Sequence, residues 1–159
     1  ENFIERIFIF NRWKKMTAQG AAIKDLVSFH ADHKLLILSH STTHYAKLGR
    51  LVAGAKKLDR QRLLAEYLSI LMEGLKLIAT KKKNTNVLQH IAGYFKKQLT
   101  AKEKKELLDL IETYYGGLVP LIAPIVILRH YVQKYEDAYL SRQYYLYPHP
   151  MELMLRNHV

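Results

Sequence analysis

The chain has 159 residues, of which 25 are lysine or arginine, 14 are aspartate or glutamate and none is cysteine. This length suits one domain with a core of its own, and a hydrophobic content of 49% excludes a chain that is disordered overall. The lack of cysteine excludes a disulfide scaffold, a thiolate zinc site and an iron–sulfur cluster held by this chain alone.

No segment of the sequence predicts a membrane span or a signal peptide. The longest apolar run, 118–128, is too short to cross a bilayer and contains two prolines. The first residues lack a basic leader followed by a small-residue cleavage site. We therefore expect a cytoplasmic protein with no membrane partner. Because the chain opens on Glu1 and not on Met, we also expect it to be either a chain shortened at its start or one domain of a longer protein.

The apolar residues of the first half recur with a helical period and predict four helices. The first helix breaks near Thr17–Gly20, and the second ends near Ser39–His40. Ser41 is the expected N-cap of the third helix. Asp59 is the expected N-cap of the fourth, which is predicted to run to about Ala79.

The second half predicts two further helices and then an unusually apolar one. Asn84 or Thr85 is expected to cap the fifth helix, which ends near Gln98. Thr100 and Glu103 have the spacing of a capping box for the sixth, which two glycines, 116 and 117, should end.

The seventh helix should have Pro120 or Pro124 in its first turn and should end near Gln133. A short last turn is expected around Pro148. The fold prediction is therefore all-α, a single-domain irregular bundle of seven to eight helices spanning residues 1–159.

The excess positive charge, +11, is concentrated in two stretches without acidic residues, 33–58 and 74–102. Such segregation is typical of proteins that bind nucleic acid or another anionic surface. The alternative is an ordinary solvated basic face. The acids of the second half gather instead on the sixth helix, at Glu103, Glu106, Asp109 and Glu112.

The fifth helix makes the nucleic-acid interpretation more specific. Val87, Ile91 and Phe95 cover its apolar side. The opposite side carries amides, an imidazole, a phenol and a glycine, where a solvated helix would carry mainly Glu and Lys: Asn86, Gln89, His90, Gly93, Tyr94 and Lys97. The alternative is that this polar side packs inward, with Gly93 at a tight helix crossing.

The basic and polar residues predict an RNA-binding interface, with tRNA as the expected RNA. Lysines would neutralise phosphates, and the polar side of the fifth helix would contact a ribose or an exposed base. The residues predicted to bind nucleic acid are Lys34, Arg50, Lys81, Lys82, Lys83, Asn86, Gln89, His90, Tyr94 and Lys97, with Lys96 as a further phosphate contact.

Eight histidines raise the alternatives of a metal site and of an enzyme. His30 and His33, and likewise His40 and His44, have ligand-compatible spacing, but no carboxylate joins either pair and an interior role is commoner. We expect no metal and no cofactor. An enzyme would need histidines such as 40, 90 and 130 to share one cleft.

Tyrosines are frequent near the end of the chain, where a polar-aromatic cluster comprises Tyr139, Arg142, Gln143, Tyr144, Tyr145 and Tyr147. Three interpretations remain open for this cluster. It could stack RNA bases, it could dock a protein partner and make the chain an interaction scaffold, or it could be half-buried against the core.

Five ordered segments resemble the YbgA-like bacterial domain: FHADHKLLILSHS, YAKLGRLVA, NVLQHIAGYFKKQL, VPLIAPIVILRHY and YLSRQYYLYPHPMEL. The resemblance runs from about Ile4 to Leu155, and the NVLxHxxGYF element is its most specific part. Some members carry this domain after a TudS-type thiouracil desulfidase domain. There the resemblance implies a tRNA 4-thiouridine substrate and an RNA-binding role for the helical part.

The resemblance marks positions of interest without giving them roles: His30, His40, Gly93, Arg129, His130, Gln143 and Pro148, besides the lysine and amide positions already named. It implies a TudS-type desulfidase as a possible partner, in the same chain or another. Without cysteines, this chain cannot be the desulfidase itself.

Overall fold

The computed structural model describes residues 2–156, and their side chains except those of positions 153, 155 and 156. Over these residues the chain forms eight α-helices, two short 3-10 helices and no strand, which confirms the all-α prediction. The ends of the predicted domain, 1 and 157–159, lie outside the described residues. The α-helices are α1 Asn2–Thr17, α2 Ile23–His40, α3 Thr42–Ala53, α4 Arg60–Gly74, α5 Lys81–Tyr94, α6 Ala101–Tyr115, α7 Ile122–Lys134 and α8 Pro150–Arg156, and the 3-10 helices are Ala55–Lys57 and Leu140–Arg142.

The contacts of the chain form two compact units, Glu1–Ala79 and Thr80–Val159. The first contains α1 to α4 and the second α5 to α8. The extent of the domain stays a prediction, and each unit is described by itself. None of the helices between residues 2 and 156 combines the length and the apolar composition needed to cross a membrane.

The core of the first unit is built around three buried aromatic rings. Trp13 of α1 stacks on Tyr67 of α4, with ring centroids 5.4 Å apart, and meets Phe29 of α2 edge-on at 5.4 Å. The Tyr67 hydroxyl lies 2.9 Å from Nδ1 of His30. Burial of a phenol is tolerated because its hydroxyl has this partner.

Two helix starts in the first unit are as predicted, and one helix end is not. Ser41 Oγ accepts from the backbone N–H of His44 at 3.2 Å, and Asp59 caps α4 in the same way. The prediction that α4 runs to Ala79 is wrong, because α4 ends at Gly74. There α4 approaches α3 so closely that a Cβ on Gly74 would lie 2.8 Å from the Cβ of His44.

In the second unit, α5 packs against α6 and α7. One apolar side of each helix is buried, in keeping with their amphipathic patterns. The buried residues of the three helices are Val87, Leu88, Ile91, Leu107, Ile111, Tyr114, Ile125, Leu128, Tyr131 and Val132, together with Phe95 directly after α5.

The start of α5 differs from the prediction. Thr80, and neither Asn84 nor Thr85, is the N-cap, since its Oγ1 accepts from the backbone N–H of Lys83. Asn84 is buried inside the helix, where its Oδ1 accepts from the Tyr145 hydroxyl at 3.0 Å. Lysines 81–83 therefore form the first turn of α5, and do not precede it.

Among the other helix ends of the second unit, the end of α5 differs from the prediction and both ends of α6 agree with it. α5 ends at Tyr94, short of Gln98. The capping box of Thr100 and Glu103 is present at the start of α6, and α6 ends at the glycines of 116–117. Gly117 has a φ of +80°, which a residue with a side chain rarely adopts.

Candidate nucleic-acid interface

The outward side of α5 is exposed, as predicted. Its polar residues are all solvent-accessible, while Val87 and Ile91 on the opposite side are completely buried. The exposed residues are Asn86, Gln89, His90, Gly93 and Tyr94, followed by Lys96 and Lys97 beyond the helix end. We call these seven residues the α5 face.

Gly93 does not sit at a helix crossing. A Cβ placed on it would meet no atom within 4 Å, so space does not require a glycine there. The alternative that the polar side of α5 packs inward at Gly93 is therefore wrong. The glycine leaves an open strip of backbone on the helix surface.

A groove runs between α5 and α6 along one edge of the α5 face. It consists of two depressions of about 330 and 230 Å³ that both include Gln89. The first is lined by Lys82, Thr85, Asn86, Gln89 and Tyr115, and the second by Gln89, Ala92, Gly93, Lys96, Leu99, Lys104, Leu107 and Leu108. We call the two together the α5–α6 groove.

The charge of the α5–α6 groove is of one sign. Among the described residues that line it, Lys82, Lys96 and Lys104 are basic and none is acidic. None of the four acids of α6 lines the groove, and two of them form ion pairs, Asp109 with Lys105 and Glu103 with Lys134. The residues that line the groove thus offer ammonium groups and no carboxylate of their own to an anion.

Three rings border the other edge of the α5 face. His90 meets Tyr94 edge-on at 5.7 Å, and Tyr94 stacks on Tyr139 at 5.6 Å. Tyr94 keeps 42% of its surface exposed. A supported ring with one accessible side can receive another flat ring.

The lysines in and after α5 that were predicted to bind nucleic acid differ in their surroundings. Lys82 lines the groove, and Lys97 is exposed on the α5 face. Lys83 is half-buried. Lys81 instead points at the turn after α6, where its Nζ lies 2.9 Å from the position that a Cβ on Gly117 would take.

The two predicted contacts of the first unit lie on other helices. Lys34 of α2 is half-buried, with its Nζ 5.7 Å from the centre of the Tyr45 ring. Arg50 is exposed on α3. Neither belongs to the α5 face, so their role in binding stays a prediction.

His30 and His33 are buried members of the core. Burial, helped by Lys34, lowers the pKa of His30 to about 4. Burial and the Arg12 guanidinium lower the pKa of His33 to about 3. His33 Nδ1 donates to the Phe29 carbonyl, and its Nε2 accepts from Arg12 Nε at 3.0 Å, so the neutral ring is fully used. The interior interpretation of this pair is confirmed.

His40 is buried in the first unit with oxygen atoms at both ring nitrogens. Its Nδ1 lies 2.7 Å from the Leu77 carbonyl oxygen, and its Nε2 lies 2.9 Å from Oε2 of Glu5, which is also buried. A carbonyl only accepts, so Nδ1 donates to the Leu77 carbonyl, and the contact of Nε2 joins His40 to the buried Glu5 carboxyl group. This cluster ties α1, α2 and the segment after α4 together.

The three histidines named for the enzyme alternative differ in their exposure. His40 is held in the buried cluster just described, whereas His90 is exposed on α5 and His130 is exposed on α7. Across the described part of the chain, no group of three or more histidine, aspartate or glutamate side chains is arranged to hold a metal ion.

The tyrosine-rich cluster is not a continuous surface. Gln143 and Tyr145 are buried, which contradicts their part in a stacking or docking surface, and Tyr145 serves to bond Asn84. Arg129 Nε donates to the Leu146 carbonyl, and its guanidinium lies 5.0 Å from the centre of the Tyr147 ring. Arg129 thus holds this segment on α7.

The sequence prediction missed the α6 side of the groove. Lys104, Leu108 and Tyr115 line it and were given no role. Leu108 and Tyr115 are large apolar residues that stay about half exposed, 42% and 53%. Leu108 lies four residues after Lys104 and Tyr115 lies seven residues after Leu108, so the three share one helix side, a pattern that a count of the acids on α6 does not reveal.

The fold and the site define an all-α protein with a basic, polar helix face. The model of the family described as "Protein of unknown function (DUF1722)" matches residues 34–150, and the chain belongs to this family. It is similar to the "Uncharacterized protein YbgA" of Escherichia coli (strain K12), with 32% identity over 156 residues, 96% of this chain and 90% of that one. The YbgA-like resemblance is thereby confirmed. No solved structure matches the chain.

Proposed function

We propose that this chain binds structured RNA, with tRNA as the expected ligand, through the α5 face and the α5–α6 groove. The observation that supports the proposal is the chemistry of the exposed α5 face. A helix that only faced water would be rich in Glu and Lys, whereas α5 exposes amides, an imidazole, a phenol and a bare glycine beside lysines.

Each group of the face has a counterpart in RNA. Lys82, Lys96 and Lys97 suit phosphates. Asn86 and Gln89 have donors and acceptors for a base edge or a ribose hydroxyl, and the exposed ring of Tyr94 suits an unstacked base. RNA recognition combines these three kinds of contact, which a membrane surface or a small anion would not require.

We also propose that the bound RNA is the substrate of a TudS-type desulfidase, in the same chain or in a separate one. This part rests on the family resemblance. Since the chain has no cysteine to hold an iron–sulfur cluster, the desulfidase would perform the sulfur chemistry and the present domain would hold the tRNA.

A titration of fluorescent tRNA at increasing salt tests RNA binding. If four to six phosphates are contacted, log K should fall with log salt at a slope of roughly −3 to −5. No binding at ~50 mM salt, or a slope near zero, would contradict the proposal.

A matched pair of variants tests the location. Lys82→Gln with Lys97→Gln should make the salt slope shallower by about two. The control, Lys102→Gln with Lys105→Gln, removes the same charge from exposed lysines that face acids of α6, and should leave the slope unchanged. Equal losses in both double variants would show that net charge, and not the α5 face, carries the binding.

A further inference from the structure

The depression around Gly93 differs from the rest of the α5–α6 groove in being walled by apolar side chains. Ala92 of α5 and Leu107 and Leu108 of α6 line it, and Leu99 lines it from the segment between the helices. We call this depression of about 230 Å³ the Gly93 pocket. Pockets for drug-sized ligands are roughly 300–1,000 Å³, so this one suits a single small ring system.

The Gly93 pocket also contains a few polar groups among its apolar walls. Gln89 contributes an amide, which can donate and accept, and Lys96 and Lys104 contribute ammonium groups. Gly93 itself leaves the opening clear, because no side chain stands there and no other atom lies within 4 Å of where one would begin.

We infer that the Gly93 pocket receives the base of one unpaired RNA nucleotide, an inference that rests on the proposed RNA binding. The apolar walls suit the faces of a base, the Gln89 amide suits its polar edge, and the two lysines suit the flanking phosphates. A paired base cannot enter, because it is stacked between its neighbours inside the duplex and would first have to be extruded. The nucleotide must therefore come from a loop, a bulge or an end.

The charge around the pocket favours a nucleotide over an apolar peptide as occupant. Two of its eight lining residues are lysines and none is acidic among those that the structure describes. An apolar protein segment would leave both ammonium groups without a counter-charge, whereas a nucleotide brings phosphate together with its flat ring.

Gly93→Leu tests the inference, because a Cβ at this position meets open space and the larger side chain would extend from the wall of the pocket. Gly49→Leu is the matched control, since Gly49 also lies in a helix with no atom within 4 Å of a built Cβ. The probes are an RNA hairpin with 2-aminopurine in an unpaired loop and a fully paired RNA duplex of equal charge.

We expect the parent protein and Gly49→Leu to bind the hairpin about tenfold more tightly than the duplex, with a rise in 2-aminopurine fluorescence as the base leaves its neighbours. Gly93→Leu should lose this preference and the rise in fluorescence, so that it binds hairpin and duplex with similar affinity. Gln89→Ala, a change at an exposed position, should reduce the preference for the hairpin over the duplex by about three- to tenfold.

The outcomes separate the inference from the proposed function. Equal affinity of the parent protein for hairpin and duplex, or an unchanged preference in Gly93→Leu and Gln89→Ala, overturns the pocket and leaves RNA binding intact. Failure of the parent protein to bind either RNA overturns the proposed function, and the pocket with it. Displacement of the hairpin by an apolar peptide but not by free nucleotides would assign the pocket to a protein partner and overturn the inference.

Discussion

The ring of Tyr94 lies nearly flat against the ring of Tyr139, with the centroids 5.6 Å apart and the planes 24° apart. Tyr94 comes from the last turn of α5, and Tyr139 directly precedes the 3-10 helix Leu140–Arg142. The stack therefore restrains the Tyr94 ring, which remains 42% exposed on the α5 face.

Tyr94→Ala should weaken tRNA binding by about 1–3 kcal/mol if a base stacks on this ring. Tyr139→Ala should weaken it less, because Tyr139 acts by supporting Tyr94. Tyr94→Phe keeps the stack and should bind nearly as the parent protein does. Fluorescence titration at one fixed salt concentration measures all three, and equal affinity of Tyr94→Ala and the parent protein would remove stacking from the binding mode.

The buried pair of Glu5 and His40 should be a main determinant of stability in the first unit. Glu5→Ala or His40→Ala removes the 2.9 Å contact between two buried polar groups, and should lower the free energy of unfolding by about 1–3 kcal/mol. Urea unfolding followed by circular dichroism measures this change.

The exposed pair of Lys105 and Asp109 provides the comparison for that experiment. Its atoms lie closer, at 2.6 Å, but both side chains are more than half exposed. Lys105→Ala should therefore cost less than about 1 kcal/mol. Similar losses for Lys105→Ala and Glu5→Ala would mean that burial of the Glu5–His40 pair does not determine its contribution.

Acid should destabilise the first unit through His30 and His33. Their folded-state pKa values, about 4 and about 3, lie below the ordinary value of 6.5. The unfolded chain therefore binds more protons than the folded chain below pH 6.5. Stability falls as the pH drops from 6.5 towards 4, and further towards 3 for His33.

His30→Gln isolates one of these contributions, since glutamine can still bond the Tyr67 hydroxyl but does not titrate. Between pH 6 and pH 4 each buried neutral histidine contributes a slope of up to about 1.4 kcal/mol per pH unit. The variant should show a correspondingly shallower pH dependence in urea unfolding. An identical slope in both proteins would contradict the depressed pKa of His30.

Two glycines in helices should respond in opposite ways to alanine. Gly74→Ala forces a methyl group against the Cβ and Cγ of His44, at 2.8 and 3.0 Å, and should destabilise the protein by about 1–3 kcal/mol. Gly93→Ala meets open space and should stabilise by about 0.5–1 kcal/mol through helix propensity. Thermal unfolding distinguishes the two, and stabilisation by Gly74→Ala would contradict the close approach of α3 and α4.

Local chemistry made several helix boundaries predictable. Ser41, Asp59 and Thr100 each cap a helix with their own side chain, and such a signal needs no knowledge of the fold. The start of α5 was missed because Thr80 and Asn84 are both good caps. The contact between Asn84 and Tyr145, 61 residues apart, belongs to the interior position of Asn84, and a reading of local caps does not foresee it.

The candidate site could be predicted only on its α5 side. The period of α5 separates its exposed polar residues from its buried ones, and burial agrees with that separation. The α6 side depends on which helix packs beside α5, and this is decided by tertiary contacts. Burial of Tyr145 depends on tertiary contacts in the same way. Its polar and aromatic neighbours in the sequence suggest an exposed cluster, whereas its side chain is buried and bonds Asn84 of α5.

The side-chain charges in the first turn of α5 have the same sign as the helix dipole at that end. Three ammonium-bearing residues, 81–83, occupy the end of the helix where the backbone dipole already carries positive charge. The Thr80 cap and the bond from Thr85 Oγ1 to the Lys81 carbonyl hold the turn closed. A polyanion lying along this turn would relieve the repulsion between the lysines and the helix dipole. The amide protons of the turn should therefore exchange with solvent more slowly in a complex with RNA than in the free protein.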